Sequence, residues 1–159
     1  MIQRVNLLTE ARRALMRQLE TVAPANDFRT AAGLNVRSGW LNEIIESNKS
    51  GFPMIVVQRH DARPPEAGPA AMKMFPGFHV IGAVEASFDS YEDELDDIEE
   101  DLVRCLAPAH GIAPPWLPEG VPGIALGAPR RLPPGNGLKV ATVVIPVYLT
   151  TFIDTIAYR

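Results

Sequence analysis

The chain has 159 residues, of which 47% are hydrophobic and 21% charged, and a formal net charge of −4. A length within ~100–200 residues predicts one domain with a core of its own, spanning residues 1–159. Such a composition excludes a disordered or collagen-like chain, and no basic stripe with interleaved aromatic residues marks a nucleic-acid binder.

The acidity is concentrated in one place: eight of the ten residues from Glu92 to Asp101 are acidic, and the remainder of the chain is mildly basic. Cys105 is the only cysteine, so no internal disulfide is expected, and its place beside Leu102 and Leu106 reads as a small core residue. Arg4, Arg12, Arg13 and Arg17 interrupt every apolar run near the start, so a secretory leader is not expected there. No run approaches the ~18–20 apolar residues that span a bilayer, and no membrane association is expected. Of the 15 prolines, 12 gather in two stretches, Arg63 to Pro76 and Pro108 to Pro134, which read as stiff loops.

In chain order, Leu8, Ala11, Leu15 and Leu19 recur at helical spacing and predict a helix from about Asn6 to Glu20, ending before Pro24. "SGWLNEIIESNKSG" suggests a short helix from Gly39 to Ser47 capped by Ser38, with Trp40, Ile44 and Ile45 on its apolar side. "FPMIVVQRHD", Phe52 to Asp61, predicts a strand whose run Met54 to Val57 is buried on both faces. Phe78 to Phe88 alternates as a second strand, and the two form a hairpin across a long loop at about 61–77.

The acidic helix follows. Tyr91, Leu95, Ile98, Leu102, Val103 and Leu106 share one face. Asp89 and Ser90 are candidate N-caps, and Glu92, Asp93 and Glu94 suit the positive end of the helix dipole. A second long loop covers about 107–122. Gly123 to Leu132 reads as a short strand, "PPGNG" as a turn, and Leu138 to Ile153 as the longest strand of the chain. Pro146 lies near its middle, which requires an edge or a bulge there. The expected fold is α+β, a mostly antiparallel four-stranded sheet with two main helices packed on one face.

Candidate chemistry is sparse. Asp96-Asp97-Ile98-Glu99-Glu100 looks like a magnesium-holding acidic motif, yet no second carboxylate cluster accompanies it, so a solvated helix face is the plainer reading. Glu92, Asp93, Asp96, Asp97, Glu99 and Glu100 form that face, with Arg104 as the one cation on the helix near them. Like charges four apart repel by ~0.2–0.5 kcal/mol per pair, so docking of a basic partner or repulsion of a polyanion stays open. His60, His79 and His110 lack metal-ligand spacing, and Gly135-Asn136-Gly137-Leu138-Lys139 is a turn and not a phosphate loop. No Gly-x-Ser-x-Gly motif occurs. No catalytic residue, metal or cofactor is expected. Met72, Lys73, Met74 and Phe75 in the first long loop are candidate interface residues, as are Trp116, the Arg130–Arg131 pair and Tyr148 in the last strand.

An opening helix, a strand like "FPMIVVQR", a second strand running into a helix ("HVIGAVEASFDSYEDELDDIEEDLVRCL") and a closing apolar strand ("KVATVVIPVYLTTF") resemble, in order and texture, the tail terminator proteins of long-tailed bacteriophages. The resemblance covers most of the chain, is weakest at 25–51, and brings no catalytic residues. It implies a structural virion protein of the tail neck, assembled in the host cytoplasm. Its subunits would close as a homohexameric ring on the end of the tail tube, stop tube growth and offer the head-completion protein a surface, with DNA passing through the centre without specific binding. Another head–tail connector, a regulatory module binding a protein through the acidic face, and a small metal-dependent enzyme are the competing readings.

Overall fold

The computed structural model describes residues 5–47, 51–86, 91–107, 112–134 and 139–156. Helix α1 spans Leu7–Leu19, and the Asn6 side chain caps it by accepting from the backbone N–H of Leu8 and Thr9. Ala11, Ala14, Leu15 and Leu19 form its buried stripe. A 3₁₀ turn at Pro24–Asn26 and another at Ala32–Asn35 lead into a three-residue strand, β1, Val36–Ser38. Helix α2 spans Leu41–Ser47. Strands β2 (Met54–Gly68) and β3 (Ala71–Glu85) follow, then helix α3 (Tyr91–Leu106). The chain closes with β4 (Gly123–Leu126), β5 (Arg130–Leu132) and β6 (Val140–Asp154).

These strands make one six-stranded mixed sheet in the order β1-β2-β3-β6-β4, with β5 also on β6. The α+β class holds, but the sheet has six strands where four were expected, and β1 runs parallel to β2. Three residues of β1 carry too little pattern to be read from sequence. The expected single strand Gly123 to Leu132 is two, β4 and β5, lying end to end on the same edge of β6.

Pro146 explains that break. Its carbonyl accepts from the Gly127 N–H, and a residue's N–H and C=O point to the same side of a strand. The missing donor therefore faces the gap between β4 and β5, while the β3–β6 ladder on the other side keeps one register from Ala71–Asp154 to Glu85–Val140.

The expected loop at 61–77 is corrected: those residues belong to β2, β3 and a two-residue turn at Pro69 and Ala70. The prolines misled because β1 pairs with β2 only at residues 55–57, leaving the outer edge of β2 beyond that point without a ladder. Pro64 and Pro65 fall within the second of two register shifts, at His60/Arg63 and Arg63/Glu66. Neither proline has a ladder partner on β3 at this irregularity, and a proline on an open edge discourages edge-to-edge pairing. Residues 112–122 of the second expected loop carry no helix or strand.

The core has two parts. On one face of the sheet α1 and α3 pack over Ile55, Val57, Phe78, Val80, Val143, Ile145 and Val147. Gly82 lets α3 come close, since a Cβ there would lie 2.9 Å from Ile98 Cδ1. On the far face Leu41 and Ile44 of α2 cover Met54, Val56, Ile81, Ala83 and Val144. The third helix thus sits opposite the two main ones. Its first N–H, at Leu41, is capped by the Gln58 side chain; Ser38 lies in β1 and Trp40 precedes the helix. Asp89, Ser90, His110 and the turn Gly135–Leu138 lie outside the described residues.

Candidate functional site

The acidic helix divides into a neutralised part and a bare part. Arg131 of β5 donates to Asp96 and Glu99, and Arg29 pairs with Glu100 at 3.1 Å. β5 therefore lies against the flank of α3, and Arg131 is engaged within its own chain. Its two carboxylate partners, Asp96 first, raise its pKa above the usual arginine value. Asp101 is fully buried. It accepts from the backbone N–H groups of Arg29 and Thr30 at 2.9 and 2.8 Å and from the Thr30 hydroxyl at 2.8 Å. Arg104 donates to the Asp27 carbonyl and stands over the Phe28 ring. The second half of α3 thus pins the segment 27–31 to the fold. The helix's own Arg104 is not the cation that offsets the acids; Arg29 and Arg131, distant in sequence, do so.

Glu92, Asp93, Glu94 and Asp97 have no cationic partner among the described residues. Glu94 and Asp97 line a cleft of about 350 Å³ with Thr30, Phe52, Pro53 and Val84. No group of three or more His, Cys, Asp or Glu among the described residues is placed to hold a metal ion.

At the opposite end of the sheet, β2, β3 and β6 run on past the helices as a three-stranded arm. Every residue from Asp61 to Ala70 is exposed, and the eight strand residues among them span roughly 25 Å at ~3.3 Å each. Met72, Lys73, Met74 and Phe75, expected in a loop, stand on its central strand and are half-buried. Tyr148 lies on the face away from α1 and α3, with the Arg63 guanidinium 4.1 Å from its ring centroid. Lys73 pairs loosely with Glu66 at 3.9 Å and stands 5.6 Å from the Phe75 ring. Phe152 is 44% exposed, and with Val5, Leu7 and Ile153 it lines a cleft of about 400 Å³ between α1 and the arm.

His60 and His79 stack with ring centroids 3.7 Å apart at the arm's base. Burial, then the charges of His60 and Arg130, lower the His79 pKa, against a smaller opposing pull from Asp61. Sequence spacing gave no hint of this pair, because the stack arises from the β2–β3 register and not from a motif. Trp116 packs against the main core, partly buried, as a lid over it. Cys105 is buried with its thiol donating to the Gln18 carbonyl, and burial pushes its pKa up to about 11.

The candidate interface residues therefore do not converge on one spot. Met72 to Phe75 and Tyr148 share the arm, Arg131 clamps α3, Arg130 lies near the histidine pair, and Trp116 belongs to the core. No protein-family model matches the chain, and no curated protein matches it. No helix among the described residues is long and apolar enough to cross a membrane.

Proposed function

We propose that this chain is an assembling structural subunit acting by contact and not by chemistry, and specifically a tail-terminator-type protein of a long-tailed phage. The arm carries the reading. A three-stranded extension with Phe152, Met72, Met74 and Phe75 partly open to solvent leaves apolar surface that a second polypeptide would cover. In this role six copies close into a ring on the end of the tail tube, stop its growth and present a surface for head completion. The chain's site in the particle is the neck of the tail, and DNA passes through the ring without sequence-specific contact.

A second reading, a regulatory module that docks a basic protein, is favoured by the four carboxylates of α3 that have no cationic partner among the described residues. Mass photometry across concentration and salt, with negative-stain images of the most concentrated sample, separates the two. Six-fold rings with a central hole support the terminator role. A chain that stays monomeric or dimeric throughout, and does not bind tube ends, rejects it in favour of the module.

A further inference from the structure

A cleft of about 270 Å³ opens between α1 and the β1–β2 edge, lined by Arg12, Ser38, Trp40, Arg59 and the rim of Phe78. Arg12 and Arg59 have no acidic partner among the described residues, and no acidic side chain lines the cleft. The Arg59 guanidinium stands 5.0 Å from the Phe78 centroid, which keeps it beside the opening. Trp40 is 58% exposed at the mouth, although a tryptophan of a folded chain is ordinarily well covered. Two arginines with no acidic partner among the described residues line one opening together with an open indole, the residue set of a receptor for carboxylate or phosphate oxygens.

The same chain carries a matching set of anions. Glu92, Asp93, Glu94 and Asp97 have no cationic partner among the described residues, while Asp96, Glu99 and Glu100 are neutralised within the chain. The two sets do not meet within one molecule. The Arg cleft lies beside Phe78, and the cleft holding Glu94 and Asp97 lies beside Val84, six residues or roughly 20 Å further along β3. We infer that the Arg12–Arg59–Trp40 cleft of one copy receives the bare carboxylates of α3 from a second copy. Joining two different patches is a heterologous contact, which propagates and closes as a ring when the rotation permits. Trp40 then covers the charged pair and excludes water, the arrangement in which Trp and Arg contribute most to an interface. The inference rests on the assembling role proposed above and names the surfaces that meet.

Charge reversal tests it. One variant carries Arg12→Glu and Arg59→Glu, and a second carries Asp93→Arg and Asp97→Arg; circular dichroism and thermal melts check that each is folded. Each variant alone is expected to raise the concentration needed for assembly by at least about tenfold, the range seen when close interfacial charge pairs are broken. Mixed one to one, they are expected to reassemble, because each reversed patch meets its complement on the other variant. Wild-type assembly should also weaken as sodium chloride rises, since ~0.1 M salt screens exposed charges beyond ~10 Å. Rings that form unchanged from either folded variant overturn the inference and leave the assembling role standing. A wild-type chain that never assembles overturns both. Saturable binding of inorganic phosphate, lost in Arg12→Ala/Arg59→Ala while assembly persists, makes the cleft a small-anion site and likewise overturns the contact.

Discussion

Asp101 and Glu99 lie two positions apart on one helix and do unlike work. Asp101 is fully buried and is the acceptor for two backbone N–H groups and a hydroxyl. Replacing it with Ala leaves those part-buried donors without their acceptor, and a bare buried donor costs ~1–3 kcal/mol. Asp101→Ala is therefore expected to lower unfolding stability by at least about 2 kcal/mol, read as a drop in the urea midpoint at constant slope. Glu99→Gln loses only part of an exposed pair with Arg131, worth ~0.2–1 kcal/mol at most. Equal losses in the two variants would contradict this assignment. Sequence alone could not rank them, because the eight acids look alike until the packing of segment 27–31 against α3 selects one.

The histidine pair sets a pH dependence at the same scale. The folded state holds the His79 pKa below the ordinary value of 6.5 through burial first and repulsion from His60 and Arg130 second. The unfolded chain then binds more protons than the folded chain as the pH falls below 6.5. This contribution is full above pH 6.5 and is lost as the pH falls through the depressed folded value. His79→Gln should flatten the stability profile over that window, measured by urea melts at a series of pH values. A profile with the same slope in the variant would remove His79 as its source.

At the scale of elements, the close approach of α3 to the sheet depends on Gly82. A Cβ there would meet Ile98 at 2.9 Å from Cδ1 and 3.1 Å from both Cγ1 and Cγ2. Gly82→Ala should cost ~1–3 kcal/mol by overpacking, and Ile98→Val should cost ~0.5–1.5 kcal/mol by itself. Ile98→Val removes the Cδ1 atom, the nearest one to the added methyl, so the double variant should be more stable than the sum of the two losses implies. A double-mutant cycle from denaturant melts reads that coupling, and strict additivity would mean that α3 and the sheet do not press on each other at this point.

The α1 and α3 spans were legible from apolar residues repeating at 3.6, and β6 and the core halves of β2 and β3 from their apolar runs or alternation, while the halves of β2 and β3 that form the arm were read as loop. β1 was not legible, since Val36–Ser38 is set by pairing with Ile55–Val57 and not by its own pattern. The arm was hidden by Pro64, Pro65 and Pro76, which local rules read as loop. Pro76 falls in the stretch between the ladder pairs Met74–Thr151 and Gly77–Tyr148, and the other two fall within the second register shift of β2. The Arg cleft was equally invisible: Arg12, Trp40 and Arg59 come from three separate elements and meet only in the fold.

The whole molecule is a helix-covered core from which the sheet continues as an arm, exposed over residues 61–70 and flanked by the start of α1 only at the β6 end. The core residues that the three long strands contribute to both clusters lie within Met54–Val57, Phe78–Val84 and Ala141–Leu149, so the strands' share of the two hydrophobic groupings ends before the arm begins. Deleting 64–74 and joining Arg63 to Phe75 with a two-residue Asn-Gly turn should leave that core intact. The shortened chain is expected to unfold cooperatively with a midpoint within a few degrees of the parent, on the order of the ~2–4 °C that 1 kcal/mol shifts a domain of this size. Assembly should behave otherwise. If the arm is the surface that neighbouring copies or the tube cover, the shortened chain stays monomeric where the parent forms rings and no longer caps tube ends. Loss of the fold itself would show that the arm supports the core, which the exposure of 61–70 argues against. Rings from a stable, armless chain would move the interface to the helix side of the molecule, where the Arg12–Arg59 cleft and the bare carboxylates of α3 would then have to hold it without the arm.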